Sequence, residues 1–224
     1  INIPGAVSKS LSIGSASLAD NGAVYRVAVS NAFGSILSAG ATLSVIAGHR
    51  PLPVITLPLE GGTYIAGNQI QFSGSATDAE DGVLPIGSLT WKVLFHHDAH
   101  AHPVLGPFSG AAGGTFTVPT VGETSPDTWF RIHLTAIDST GLTTEITRDI
   151  FPETSSFTLT SNVPGIVLSL DGSPVSNPST TTGVVGMARS ISTAATQVVN
   201  GREFQFVRWS DGGAIAHTIA TPAS

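Results

Sequence analysis

Residues 89–103 of the 224-residue chain read LTWKVLFHHDAHAHP, a buried-strand pattern that runs directly into a histidine cluster. Trp91, Val93 and Phe95 recur at every second position, which is the period of one face of a β-strand. Four histidines and an aspartate follow within the same stretch. The sequence therefore predicts that a core strand and a candidate site form one continuous segment.

The rest of the chain has the composition of a many-stranded β protein. Hydrophobic residues make up 41% of the chain and charged residues 11%, and Gly, Ser and Thr separate short apolar runs. Residues 129–137 show the pattern well, because Phe130, Ile132 and Leu134 alternate with polar side chains. No segment keeps the 3.6-residue apolar period of a helix, so we expect an all-β fold with almost no α-helix.

Composition and motifs also exclude several classes of function. The nine Lys and Arg residues form no basic run and the net charge is −6, so we expect neither nucleic-acid binding nor membrane insertion. No apolar run approaches the ~20 residues of a membrane helix. The absence of cysteine excludes disulfides and thiolate metal sites. Neither a nucleophile elbow nor a phosphate-binding loop is present, so we expect no enzyme.

Three parts of the chain resemble known bacterial β domains. Residues 20–34, DNGAVYRVAVSNAFG, resemble the later strands of a bacterial immunoglobulin-like domain. Residues 74–82, 95–103 and 122–125 resemble the polycystic-kidney-disease-type (PKD-type) immunoglobulin-like modules attached to sugar dehydrogenases of the glucose/sorbosone type. Residues 206–213, FVRWSDGG, are similar to the F-x-x-W-S-D-G-G signature of divergent internalin-type B repeats.

These resemblances imply tandem immunoglobulin-like β-sandwich domains and a small β domain. We assign residues 1–46 to a partial immunoglobulin-like domain, 47–53 to a linker, 54–152 to a PKD-type β-sandwich and 153–224 to a partial B-repeat-like domain. An immunoglobulin-like domain needs about 100 residues. We therefore expect the first domain to be truncated and its open face to contact other protein domains or chains. The last domain is expected to be truncated as well.

The alternating pattern predicts six strands in the middle domain. They cover residues 54–57, 70–73, 89–96, 114–118, 129–137 and 143–150. Pro103 is expected to end sheet pairing just after the histidine cluster. His133 lies between core positions of its strand and is expected to be solvated.

The expected function is non-catalytic. The resemblances imply a segment of a larger, exported bacterial protein that acts in cell-surface or extracellular structure or adhesion. The alternative is a carbohydrate-binding accessory module of a secreted sugar-active enzyme, with polysaccharide as its partner. Trp209 is the candidate sugar-stacking side chain, and a half-buried core aromatic is its other interpretation.

The histidine cluster is the candidate transition-metal site. Residues two apart on an extended strand point to the same side, so His100 and His102 are expected to converge, with His96 and Asp98 on the same side. Neutral imidazole suits Zn²⁺ or Cu²⁺, and a carboxylate can complete such a site. The candidate ligands are His96, His97, Asp98, His100, His102 and Glu123. The alternative is a polar surface loop whose histidines bond one another, water or backbone carbonyls.

A second, weaker candidate site is acidic. Asp78, Glu80 and Asp81 precede Gly82 in a turn, and Asp138 begins another turn. Hard oxygen ligands in flexible loops suit Ca²⁺, although the spacing is not that of an EF-hand. The alternative is that these carboxylates cap turns.

Overall fold

The computed structural model describes residues 3–223 and confirms that the chain is all-β. Within this range the helical structure consists of two short 3-10 turns, Leu18–Asp20 and Ile86–Ser88. All other regular structure in the range is β-strand. Ile1, Asn2 and Ser224, at the outer ends of the first and last predicted domains, lie outside the described residues.

The N-terminal part forms two short antiparallel ribbons without a core. Its strands are β1 (Val24–Tyr25), β2 (Ala28–Asn31), β3 (Gly34–Leu37) and β4 (Ala41–Thr42). Strand β1 pairs with β4, and β2 pairs with β3. No residue from position 3 to position 50 is buried, and Phe33 is 99% exposed. The hydrophobic effect therefore contributes little to holding these ribbons together.

The middle part consists of two sheets packed face to face. Its strands are β5 (Leu52–Leu57), β6 (Thr63–Tyr64), β7 (Gln69–Asp78), β8 (Gly82–Val83), β9 (Leu89–His97), β10 (His100–Ser109), β11 (Gly113–Thr117), β12 (Thr128–Ile137) and β13 (Thr143–Pro152). One sheet has the order β10-β9-β12-β13-β6, and the other has the order β11-β7-β5 with β8 paired to β7. The β13–β6 pair is parallel and the other pairs are antiparallel.

The core between these sheets is formed by the alternating apolar side chains that the sequence pattern predicts. Trp91, Val93, Ile132 and Leu134 are all 0% exposed, and they come from the neighbouring strands β9 and β12. Trp91 also donates a hydrogen bond from its indole nitrogen to the Ala111 carbonyl at 3.0 Å. Burying an aromatic side chain of this size is worth several kcal/mol, so this strand pair anchors the fold.

All six strands predicted in the middle part are present, and one long strand was not predicted. Strand β10 pairs with β9 from His100 to Ser109. The expectation that Pro103 ends sheet pairing is wrong, because Pro103 lies opposite Leu94 within the pairing. Strand β10 is the edge of its sheet. A proline is tolerated there because an edge strand leaves one side of its backbone unpaired.

The C-terminal part is built from short strands around a second, smaller core. Its strands are β14 (Thr154–Leu159), β15 (Leu168–Leu170), β16 (Ser173–Val175), β17 (Ser179–Val184), β18 (Ala188–Thr193), β19 (Thr196–Val199), β20 (Arg202–Gln205) and β21 (Ala216–Ala220). The sheet β16-β15-β18-β21 carries most of this core, and β14–β17 and β19–β20 are separate pairs. The buried residues of the core are Leu159, Leu168, Leu170 and Ile191.

The middle and C-terminal parts share a packed junction. Val184 and Met187 belong to the same buried cluster as the middle core. The backbone connects the two parts as well, because the Ala66 N–H donates to the Val185 carbonyl at 2.9 Å and the Ala188 N–H donates to the Thr120 carbonyl at 2.8 Å. The bend between β17 and β18 is therefore part of the middle core.

Candidate metal centre

A tight hairpin turn gathers the histidines. Strand β9 ends at His97 and β10 begins at His100, so only Asp98 and Ala99 lie between them. Asp98 adopts a positive φ of 47°, a left-handed conformation that aspartate tolerates better than most residues. The turn places His100 directly opposite His97. Facing residues on antiparallel strands have Cβ atoms about 4.5–5.5 Å apart, so their rings meet.

Three imidazoles converge at the end of this hairpin. His97, His100 and His102 each offer a ring nitrogen, and these nitrogens all lie within 4.8 Å of one another. The Nε2 atoms of His97 and His102 are 3.0 Å apart and share a hydrogen bond, as the alternative of histidines that bond one another predicts. Tetrahedral Zn²⁺ with bonds of 2.0–2.1 Å holds its ligand nitrogens about 3.3 Å apart. Small side-chain rotations would therefore bring this cluster to ligand geometry.

Two carboxylates lie beside the other nitrogen of His97. The His97 Nδ1 atom is 3.5 Å from Asp98 Oδ2 and 3.9 Å from Glu123 Oε2. Within residues 3–223 this buried Nδ1 has no hydrogen-bond partner. The Ser125 N–H donates to Glu123 Oε1 at 2.8 Å and holds that carboxylate in place. Metal-bound histidines usually donate their second N–H to such a group, so Glu123 and Asp98 fit an orienting role better than a ligand role.

His96 does not join the cluster, contrary to the expectation of shared parity. Its ring stacks on Trp129 with centroids 4.8 Å apart and planes at 12°. Burial lowers the pKa of His96, and the nearby Arg131 guanidinium lowers it further. The expectation was wrong because it treated residues 96–102 as one extended strand. The turn reverses the chain, so His97 rather than His96 faces His100 and His102.

His133 is buried rather than solvated, which corrects its expected role. Its side chain lies beside Glu145 on the neighbouring strand β13, with Nδ1 and Oε1 2.8 Å apart. Burial raises the pKa of Glu145, but hydrogen bonds from His133 and Thr135 outweigh this and leave the pKa lowered. This pair is separate from the metal cluster and satisfies His133 Nδ1, while the buried His133 Nε2 has no hydrogen-bond partner within residues 3–223.

Three of the four predicted calcium ligands accept hydrogen bonds from residues of the turns. Asp78 accepts hydrogen bonds from the backbone of Glu80 and Asp81, and Asp81 accepts two from Ser139. Asp138 accepts three from Thr140 and Leu142. In the described part of the chain the only convergent set of three metal-binding side chains is the histidine cluster. The geometry therefore favours turn capping for Asp78, Asp81 and Asp138.

Glu80, the fourth predicted calcium ligand, bonds a residue outside its turn. It accepts hydrogen bonds from the backbone N–H and the ring of His49, at 3.1 and 2.7 Å. This interaction lowers the pKa of Glu80 and raises that of His49. It fastens the segment before β5 to the acidic turn.

Trp209 is half-buried, and it lies beside a wide cleft. It packs against the C-terminal core and donates from Nε1 to the Ile215 carbonyl at 3.2 Å. The cleft has a volume of about 700 Å³ and is also lined by the exposed polar side chains of Asn162, Arg208 and Ser210. Trp209 is therefore a half-buried core aromatic, as one interpretation predicts, and it also lies beside a cleft, as a sugar-stacking role requires.

An apolar cleft lies beside the histidine cluster, and no sequence pattern predicts it. Its volume is about 170 Å³, and His102 and Glu123 belong to its lining. The apolar lining includes Tyr64, Phe95, Val118, Phe130, Val184 and Met187. These residues are spread over the chain from β6 to the bend after β17. Only the packing of the C-terminal part against the middle part brings them together.

Comparison with known proteins identifies no relative of this chain. Protein-family models, curated proteins and solved structures all gave no match. The part of the chain that the structure describes contains no helix long and apolar enough to cross a membrane.

Proposed function

We propose that this chain is a non-catalytic β-domain segment that binds a transition-metal ion, Zn²⁺ or Cu²⁺, through His97, His100 and His102. The observation that carries the proposal is the convergence of three imidazole nitrogens within 4.8 Å at one hairpin. Neutral imidazole is a preferred ligand of both ions. The bound ion would join the ends of β9 and β10 and stabilise the edge of the sheet.

The position of the cluster supports a role in which the bound ion links two neighbouring strands. All three ligands lie on one hairpin, and two of them are exposed. The proposed role is in extracellular or cell-surface structure or adhesion, as part of a larger exported bacterial protein. The composition fits export, because the chain is poor in lysine and rich in threonine and serine, and the absence of cysteine does not argue against it. The sheet orders and the buried Trp91 also support an immunoglobulin-like assignment of the middle part.

The N-terminal ribbons are the proposed contact region for other protein domains or chains. Val27, Val29, Ile36 and Leu37 are each more than 60% exposed, on these short strands or directly beside them. Exposed apolar side chains beside unpaired strand edges favour association with another polypeptide.

Isothermal titration calorimetry with Zn²⁺ and Cu²⁺ tests the metal proposal. We expect the wild-type chain to bind one ion and the His100→Ala/His102→Ala double variant to lose at least 100-fold in affinity. His96→Ala is the matched control, because His96 lies on the same hairpin but stacks on Trp129. Affinity should also fall in acid, because metal ligation requires neutral imidazoles. Equal binding by the wild-type chain and the double variant would refute the proposal.

Carbohydrate binding at the Trp209 cleft is the second candidate function. It is supported by a wide cleft that combines an aromatic side chain with exposed polar groups. Sugar rings stack on aromatic faces while their hydroxyls bond polar groups. Sedimentation with insoluble cellulose and chitin would test it. Binding that is lost in an Asn162→Ala/Arg208→Ala variant would support this function, and a wild-type chain that stays in solution with both polymers would contradict it.

A further inference from the structure

The apolar cleft and the histidine cluster share one boundary. His102 lines the cleft and is also one of the three converging imidazoles. Glu123 lines the cleft as well and lies 3.9 Å from His97. A metal ion on the histidines would therefore lie at the mouth of an apolar space.

We propose that the metal-loaded chain binds a small aromatic anion, with its ring in the apolar cleft and its anionic head on the metal ion. This inference rests on the proposed metal site. Three protein ligands leave at least one coordination position on Zn²⁺ for an exogenous group. The ligand class then follows from the size, the chemistry and the charge of the combined site.

The size of the cleft matches a single aromatic ring. Its volume is about 170 Å³. An engineered protein cavity of about 150 Å³ with an aliphatic and aromatic lining binds benzene. Val104 and Val121 line the cleft and are exposed, so the space reaches the surface and a ligand can enter without unfolding.

The interior of the cleft offers almost no free polar group. Its buried polar side chains, Tyr64 and Thr128, bond each other through their hydroxyls at 2.9 Å. Burial raises the pKa of Tyr64, so its hydroxyl stays neutral. Phe95 and Phe130 present their rings nearby, with centroids 5.0 Å apart. An apolar ring is therefore favoured in this space, and a sugar or a charged chain is not.

The charge at the mouth favours a monoanionic head. Three neutral imidazoles leave the full +2 charge of the ion, and Glu123 reduces the local charge to about +1. Asp98 is 77% exposed on its side chain and is screened by water. A carboxylate or hydroxamate head would neutralise the remaining charge and occupy the open coordination position.

The test compares two probes that differ only in the ring. Benzohydroxamate and acetohydroxamate carry the same metal-binding head, and each is titrated calorimetrically into the Zn²⁺-loaded full chain. We expect benzohydroxamate to bind at least tenfold more tightly. We expect this preference to fall to less than threefold in Val121→Trp and Val104→Trp, which place an indole in the cleft. A Zn²⁺ titration of each variant checks that the metal site itself is retained.

The outcomes separate the two proposals. Zn²⁺ binding with equal affinity for both hydroxamates would overturn the aromatic-anion inference and leave the metal site standing. A ring preference that persists in both filled variants would also overturn it, because the ring would then bind elsewhere. Failure of the wild-type chain to bind Zn²⁺ would refute the proposed function and this inference together.

Discussion

The two ring nitrogens of His97 face different groups. Its Nε2 lies 3.0 Å from His102 Nε2, and its Nδ1 lies 3.9 Å from Glu123 Oε2. Metal binding at Nε2 requires the tautomer with the proton on Nδ1, and a negative carboxylate on the Nδ1 side favours that tautomer electrostatically. Glu123 is therefore assigned a positioning role, although it follows His97 by 26 positions in the sequence.

Glu123→Gln should weaken Zn²⁺ binding by about tenfold, since partners of metal-bound histidines typically contribute 10- to 100-fold in affinity. The amide keeps the shape of the side chain and its contact with the Ser125 N–H but loses the negative charge. Calorimetry measures the effect. Asp127→Asn removes an exposed charge from the same loop and should bind as tightly as the wild-type chain. An unchanged affinity in Glu123→Gln would rule out the orienting role.

The Asp211–His217 pair should make stability depend on pH. Its hydrogen bond raises the pKa of His217 above 6.5. The Gly213 N–H and His217 together lower the pKa of Asp211 below 3.8. The contribution of His217 is complete below pH 6.5 and is lost as pH rises through its folded pKa. The contribution of Asp211 is present above pH 3.8 and is lost as pH falls through its folded pKa.

NMR titration of the imidazole protons checks this assignment directly. His217 should titrate above pH 6.5 in the wild-type chain and should move towards that value in Asp211→Asn. Asp127→Asn is the matched control and should leave the titration of His217 unchanged. If His217 titrated at the same pH in Asp211→Asn as in the wild-type chain, the pairing would not be the cause of the shift.

At the scale of single elements, the pairing of β5 with β7 depends on the close approach of the β5 backbone to Gly74 of β7. Gly74 pairs with Ile55 just before a register shift in β5. A Cβ atom at Gly74 would overlap the Val54 carbonyl oxygen and would lie 3.1 Å from both Leu134 and Trp91. Only glycine fits this position without moving the backbone.

Gly74→Ala should lower the free energy of unfolding by about 1–3 kcal/mol, the usual cost of overpacking a core. Chemical denaturation followed by tryptophan fluorescence measures this difference. Gly106→Ala is the control on strand β10, because a Cβ atom there meets nothing within 4 Å. Equal stability of the two variants would show that β5 can move away from β7 at little cost.

The six strands of the middle part could be predicted because each shows alternation with turn residues at its ends. Strand β10 could not, since Pro103, Gly106 and Pro107 are typical of a loop. The turn between β9 and β10 could not be predicted either, because Asp98-Ala99 lacks the glycine of common hairpin turns. Without that turn, parity along a single strand groups His96 with His100 and His102, whereas the pairing of β9 with β10 places His97 there.

At the scale of the whole molecule, the sequence patterns predict separate middle and C-terminal domains, whereas the structure packs these two parts against each other. The boundary predicted at residues 152–153 coincides with the end of β13. Val184 and Met187 nevertheless complete the middle core and line the apolar cleft. Contacts between residues far apart in the chain leave no periodic signal, so neither the junction nor the cleft could be predicted from the sequence.

Deletion of residues 1–46 should leave the thermal unfolding midpoint of the remaining chain unchanged to within about 2 °C, equivalent to less than ~1 kcal/mol. The physical reason is that no residue from position 3 to position 50 is buried. Differential scanning calorimetry of the two chains at matched concentration makes the comparison. A midpoint lowered by much more than this would mean that the N-terminal ribbons stabilise the middle part through contacts of their own.

X-ray absorption spectroscopy of the Zn²⁺-loaded chain tests the central claim most directly, because it reports the atoms around the ion. Three imidazole nitrogens at 2.0–2.1 Å, with the multiple-scattering pattern of histidine rings, are expected. In the His100→Ala/His102→Ala variant, the fitted number of imidazole ligands should fall below two. A wild-type spectrum with only oxygen ligands, or with fewer than three imidazoles, would contradict a metal centre formed by His97, His100 and His102.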